Sequence, residues 1–261
     1  MFSRQRAILR LIEVEGGTIS RLRLVKLAFM LSREAGVPRA GVYDFVPYKR
    51  GPFSFTLYHE IRALEREGWL AEAEHDIRIA EVPNLETAFL DLEFLKMIDS
   101  VSDRYRTLPT SAVVDSVYAS HPWFTLNSEM ANKRAASRPA AEPAVYTVGY
   151  EGIMVDALLD LLLRKGIRRL VDVRCNPVAR RYGYHKATLC RLASPSSFWS
   201  VITVCRISPP SRNIDSGYNG RRRGRTKGED ARIGAVATNG PMTPDSWPSV
   251  GASTACSMIR G

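Results

Sequence analysis

Apolar side chains recur at helical spacing through the first 130 residues, give way to short apolar runs punctuated by glycine from residue 145, and lose regular spacing after residue 193. Ile8, Leu9, Leu11 and Ile12 form one face of a first helix that stops at Gly16-Gly17. Ser20 is placed to cap a second, carrying Leu24, Leu27, Ala28 and Leu31. Tyr43, Phe45 and Val46 predict an extended stretch, and Lys49-Arg50-Gly51-Pro52 a turn. A third helix is expected from Ser54 to Glu67 around Leu57, Ile61 and Leu64, with Gly68 as its C-terminal cap. Trp69-Leu70 and Ile77-Arg78-Ile79 then suit a hairpin. Leu85, Phe89, Leu92, Leu95 and Ile98 predict a helix over 85–106, and Ala112 to Tyr118 a shorter one. His121-Pro122-Trp123-Phe124 is read as a buried aromatic closure.

Three helices followed by a hairpin is the order of a winged helix, so the N-terminal domain, 1–130, is expected to be α+β, mostly helical and winged-helix-like. Residues 131–144 contain two prolines and no apolar period, which makes them a linker. Beyond it, Val145 to Val148 reads as a strand and Ala157, Leu158, Leu161 and Leu162 as the buried stripe of a helix that ends at Gly166. Leu170-Val171-Asp172-Val173 is the next strand. Strand, helix and strand in this compass predict a βαβ unit, hence an α/β domain over 145–193 built as an incomplete Rossmann-like parallel sheet. Residues 194–261 are rich in Ser, Pro, Gly and Arg, with only Trp199 to Ile207 suggesting a strand. They are read either as a disordered basic tail or as the product of a lost reading frame near residue 193. The abrupt loss of periodicity favours the second.

Charge sharpens this division. The formal net charge is +10, yet residues 1–144 carry 19 basic and 19 acidic side chains. The excess belongs to 145–193 and 194–261, each with 9 basic against 4 acidic residues. On the tail, Arg221, Arg222, Arg223, Arg225 and Lys227 suit nucleic acid. Direct DNA binding by the neutral N-terminal half is less favoured, because Glu60, Arg62, Glu65, Arg66 and Glu67 make its third helix look mixed in sign. The four cysteines form no Cys-x-x-Cys pair and the histidines are scattered, so neither a metal site nor a cofactor is expected. With no apolar run long enough for a membrane and no secretory signal, the expected location is the cytoplasm.

Ligands of parallel sheets sit beyond the carboxyl ends of the strands. Here those ends carry Gly149-Tyr150-Glu151-Gly152 and Asp172-Val173-Arg174. Gly149, Tyr150, Gly152, Arg174, Arg180 and Arg181 are therefore candidate ligand-binding residues, the glycines allowing close backbone approach and the arginines pairing with phosphate. Glu151, Asp172 and His185 are candidate acid–base groups. An Asp172–Arg174 structural ion pair accounts for two of these residues equally well.

Two stretches resemble known families. Tyr-Thr-Val-Gly-Tyr-Glu-Gly, Leu-Val-Asp-Val-Arg and Asn-Pro-Val-Ala-Arg-Arg-Tyr-Gly-Tyr-His-Lys-Ala-Thr-Leu, spanning about 145–193, resemble the start of the DUF488 family. That resemblance names a domain without naming a reaction, and implies further βα units that do not follow here. Over about 20–70, the Lys26-Leu27 helix, the Tyr48-Lys49-Arg50-Gly51-Pro52 turn and the helix opening after it resemble the Panacea or SocA-like domain of antitoxins. This implies a partner-binding or regulatory module and supplies no catalytic residue. Together these readings predict a protein that binds or acts on a phosphate-containing ligand, a nucleotide or nucleic acid. The alternative is a non-enzymatic, antitoxin-like regulator that binds DNA or a protein partner through its N-terminal domain. Whether the chain is an enzyme is left open.

Overall fold

A computed structural model describes residues 2–35, 42–73, 76–80, 90–130, 135–172, 179–193 and the backbone of 232–237. The protein is α+β, with seven α-helices and small antiparallel sheets among the described residues. It divides into two compact units. One comprises Met1–Arg138 with Met154–Leu161, the other Pro139–Ile153 with Leu162–Gly261.

The first unit opens with α1 (Ser3–Val14), β1 (Thr18–Ser20) and α2 (Arg21–Ala35). Gly16 and Gly17 adopt positive φ between α1 and β1, a conformation that costs glycine little. The Ser20 hydroxyl accepts from the Arg23 amide at 3.3 Å, as expected of a cap. A hairpin follows, β2 (Val46–Tyr48) and β3 (Gly51–Phe53), tighter than the extended stretch and turn read from the sequence. α3 (Phe55–Arg66) starts at Ser54, whose hydroxyl accepts from the Leu57 amide. β4 (Leu70–Ala73) and β5 (Asp76–Ile79) form the expected hairpin, and β1 adds to it in the order β1-β5-β4, all antiparallel. β1 is too short to register as a period-2 pattern; its ladder with β5 identifies it.

α4 is Leu92–Tyr105, with the Asp91 carboxylate accepting from the Phe94 amide. The predicted start of this helix at Leu85 lies outside the described residues. α5 (Thr110–Ser120) and a 3-10 turn (Pro122–Thr125) close the bundle. The core joins Leu9 and Ile12 of α1, Leu27 and Phe29 of α2, Leu57, Ile61 and Leu64 of α3, Ile98 of α4 and Val117 of α5. Phe29 sits at its centre with edge-on contacts to Phe45, His121 and Phe124. In the aromatic closure Phe124 is buried, but Trp123 is half-buried and donates its indole N–H to Asp160 at 2.7 Å.

Farther along, β6 (Ala144–Gly149), α6 (Val155–Arg164), β7 (Arg169–Val171) and α7 (Lys186–Ala193) follow in order. Val155, Leu158, Leu159, Leu162 and Leu163 are the buried stripe of α6. Leu161, placed in that stripe from the sequence, is exposed; the two runs of three apolar residues on either side of Asp160 leave the helix phase undetermined until packing chooses it.

The sheet corrects the parallel reading. β6 and β7 do not pair with each other. β8 (Arg232–Ala237) lies between them, antiparallel to both, giving the order β6-β8-β7. A strand thus comes from the tail, where none was read at these positions. Its sequence of small residues has little hydrophobic amplitude, and strand pairing over such separation is not a local signal. The Trp199–Ile207 strand lies outside the described residues.

Candidate functional site

In the second unit, β6 and β7 run the same way because each opposes β8, and their carboxyl ends emerge together. Gly149 pairs with Arg232 and Val171 with Gly234, close to one end of β8. The loops carrying Gly149–Gly152 and Asp172 therefore leave the same end of the sheet.

The first loop is held from behind. Gly152 turns at φ 80°, and Tyr150 stacks on Tyr184 with ring centroids 4.4 Å apart. Tyr184 is fully buried and donates its hydroxyl to the Ile153 carbonyl at 3.1 Å. Arg181 donates to the same carbonyl at 2.8 Å. Two donors on one carbonyl fix the point at which the chain passes from loop to helix. Arg181 is thus engaged with backbone instead of being free to hold a phosphate. Gly183, at φ 88°, makes the turn that returns Tyr184 to this loop.

The remaining candidates stand apart in their environments. Asp172 is 2% exposed at the end of β7. It lies close enough to Cys190 of α7 to act with burial in raising that thiol's pKa, against the opposing pull of Lys186. Glu151, Arg180 and His185 are exposed. Arg174 and Cys175 lie outside the described residues. The described groups so form a positioned loop with a buried carboxylate nearby, and the two exposed acid–base candidates face solvent. Among the described residues no cluster of His, Cys, Asp and Glu could hold a metal ion, and no helix is long and apolar enough to cross a membrane.

A second candidate site occupies the first unit. Its centre is Lys26, an interior position of α2 that is 1% exposed. The Lys26 ammonium donates to the carbonyls of Arg50 and Pro52, the latter at 3.1 Å. Burial, reinforced by the nearby Arg50, lowers its pKa to about 7. Gly51 lies between those carbonyls at φ 86°. A Cβ there would meet the Tyr118 ring at 2.3 Å and Lys26 Nζ at 3.2 Å. Only glycine satisfies both the turn and the approach of Tyr118.

This junction floors an open cleft of about 780 Å³, whose walls include Arg21, Tyr48, Lys49, Phe53, Tyr58 and Thr110. Tyr48, Phe53 and Tyr58 line one side and, with Phe55, form a half-buried aromatic cluster with centroid separations of 4.6–5.7 Å. The Lys-Leu helix and the Gly-Pro turn belong to one module in the sequence, but its composition does not mark Lys26 as a buried pin. The local signal is that Lys26 falls among Leu24, Val25, Leu27 and Ala28 on a helix whose middle is buried all round.

Two buried carboxylates brace this region. Asp156 of α6 accepts from the amides of Phe55 (2.6 Å) and Thr56 (3.1 Å) and from the Thr56 hydroxyl (2.6 Å). With Ser54 on Leu57, three otherwise orphaned N–H groups at the start of α3 are satisfied. Burial nevertheless raises the Asp156 pKa to about 6, the three hydrogen bonds opposing it and Asp44 adding to it. Glu60, 5% exposed, faces inward from α3 to accept from Arg4 and from the Tyr43 hydroxyl, the latter at 2.7 Å. Burial and the Glu60 charge push the Tyr43 pKa well up.

Comparison of the chain with family models, with curated proteins and with solved structures finds no match in any of the three.

Proposed function

We propose that this protein is a non-enzymatic regulator whose N-terminal unit captures a protein partner in the Lys26–Gly51 cleft. One observation carries the reading. The pieces of sequence that resemble the Panacea or SocA-like domain, Lys26 on α2 and the Tyr48–Pro52 turn, meet at the floor of that cleft through the Lys26 hydrogen bonds. Aromatic side chains beside arginine are the composition of interface hot spots, and Tyr48, Phe53, Tyr58 and Arg50 provide it here. The surrounding architecture supports a winged-helix-like module. Helix, strand, helix, hairpin, helix and hairpin follow in sequence, with the sheet ordered β1-β5-β4. Photo-crosslinking from position 48 in cells tests the reading. A discrete protein adduct that disappears in Gly51→Ala supports it. Absence of any adduct, or turnover of a phosphate ester abolished by Glu151→Gln, overturns it.

A second reading rests on the common end of β6 and β7, which supports a ligand site at that end of the sheet in the second unit. There the Tyr150–Gly152 loop would approach a phosphate-containing ligand, with Arg180 as the exposed cation and Asp172 behind it. Calorimetric titration with nucleotides separates it from the first reading. Binding lost in both Asp172→Ala and Arg180→Ala supports it, and heats unaffected by either remove it.

A further inference from the structure

The neutral charge count of the N-terminal half conceals an unequal surface. On α3, Glu60 points into the core and is satisfied by Arg4 and Tyr43. Glu65 pairs with Arg21 at 2.8 Å, as does Glu72 of β4. Glu60 and Glu65 are two of the three carboxylates that made the helix look mixed in sign, and Arg21 offsets one of the two charges on Glu65 and Glu72. With Glu60 turned inward and Glu65 held by Arg21, the exposed row of α3 is His59, Arg62 and Arg66. Spacings of three and four residues put all three on one face. His59, Arg62 and Arg66 share a shallow depression of about 570 Å³ with Glu65. Arg62 and Arg66 form no ion pair among the described residues, and Arg66 lies back along the helix to donate to the Arg62 carbonyl at 3.3 Å.

Tyr58, one turn before Arg62, lines the cleft with Arg21 and Arg50. The carboxylates around the row include Glu60, whose charge opposes the burial that lowers the His59 pKa, Glu65 and Glu72, which share Arg21, and Glu67 at the end of the helix.

We propose that the exposed face of α3, centred on Arg62 and Arg66 and extended by His59, binds duplex DNA with the helix in the major groove. This surface is separate in its evidence from the partner cleft and stands or falls without it. α3 has 12 residues, about 18 Å at 1.5 Å per residue, and a major groove about 12 Å wide admits a single helix. The β4–β5 hairpin follows α3 directly, the arrangement in which a wing lies beside the inserted helix. An acidic protein surface fits less well. The His59–Arg62–Arg66 row includes no apolar anchor, which a protein interface needs at its centre and a phosphate backbone does not.

Fluorescence anisotropy of a labelled 20-base-pair duplex, titrated with the full chain from 50 to 200 mM salt, tests this. Arg62→Ala/Arg66→Ala is expected to weaken binding at least tenfold at 100 mM salt and to reduce the slope of log K against log salt by about 2. Both side chains are exposed, so thermal unfolding of the double variant is expected to match the parent. Replacing Arg221, Arg222 and Arg223 by alanine in the full chain is expected to leave the effect of Arg62→Ala/Arg66→Ala intact. Absence of duplex binding at 50 mM salt, equal affinity of the α3 variant and the parent, or affinity that depends on the tail arginines alone overturns the proposal. So does displacement of the duplex by polyglutamate at equal charge concentration, which would assign the face to an acidic peptide.

Discussion

Lys26 Nζ donates to the Pro52 carbonyl at 3.1 Å, joining the middle of α2 to a hairpin 26 residues later. Replacing this lysine by methionine keeps the stem and removes the donors, leaving the buried Pro52 carbonyl and the Arg50 carbonyl short of a partner. The expected cost is about 1–3 kcal/mol by urea unfolding. The pH dependence has a definite sign. The folded pKa of about 7 lies below the unfolded value near 10.5, so the unfolded chain holds the extra proton between them. The parent therefore gains stability relative to Lys26→Met as pH rises from 7 to 9, by on the order of 2 kcal/mol. A constant difference between the two proteins across that window would show that Lys26 keeps an ordinary pKa.

Gly51 and Gly17 both hold positive φ, at 86° and 81°, but only Gly51 faces a neighbour. Gly17→Ala meets nothing within 4 Å and bears the backbone cost alone, about 1 kcal/mol. Gly51→Ala adds a collision with the Tyr118 ring and is expected to cost about 1–3 kcal/mol more. Denaturation midpoints of the two variants decide this; equal midpoints would mean that Tyr118 moves aside freely.

Asp156 gives the opposite pH behaviour. Its folded pKa, about 6, is above the usual 3.8, so the folded protein holds this proton more tightly than the unfolded chain. The resulting contribution is complete below 3.8 and is lost as pH rises through 6. The parent minus Asp156→Asn stability difference is expected to fall over that interval, measured by chemical denaturation. Asp156→Ala, which strands the Phe55 and Thr56 amides and the Thr56 hydroxyl, is expected to destabilise by about 2–4 kcal/mol at pH 7. A smaller loss than for Asp156→Asn would contradict the cap.

Glu60 ties Tyr43 to Arg4 from within the core. Tyr43→Phe removes one donor to a buried carboxylate and is expected to cost about 1–2 kcal/mol. Glu60→Gln is expected to cost more, because Tyr43 and Arg4 both lose their charged acceptor. A double-mutant cycle between the two should give a coupling of about 1 kcal/mol. Additive effects would show that the hydroxyl and the carboxylate act independently.

How the chain reads depends on the range over which each interaction acts. Helices α1, α2, α3 and α5 were legible because amphipathic spacing, Ser20, Ser54 and the glycines after α1, α2 and α3 are local signals. The β4–β5 hairpin was legible for the same reason. The emergence of the Gly149–Gly152 and Asp172 loops at one end of a sheet followed from a strand, helix and strand in order. None of those signals said which strand would lie between β6 and β7.

What the sequence by itself determined was the list of helices, the change of character near residue 145 and the residue types at each loop. Tertiary structure alone decided how those residues are used. It buried Lys26 against two carbonyls, turned Glu60 inward, occupied Glu65 with Arg21 and Arg181 with the Ile153 carbonyl, and inserted β8. Each outcome depends on a partner far along the chain. A charge or a polar donor has the same appearance in sequence whether it is solvated or satisfied internally, and only the folded arrangement distinguishes the two.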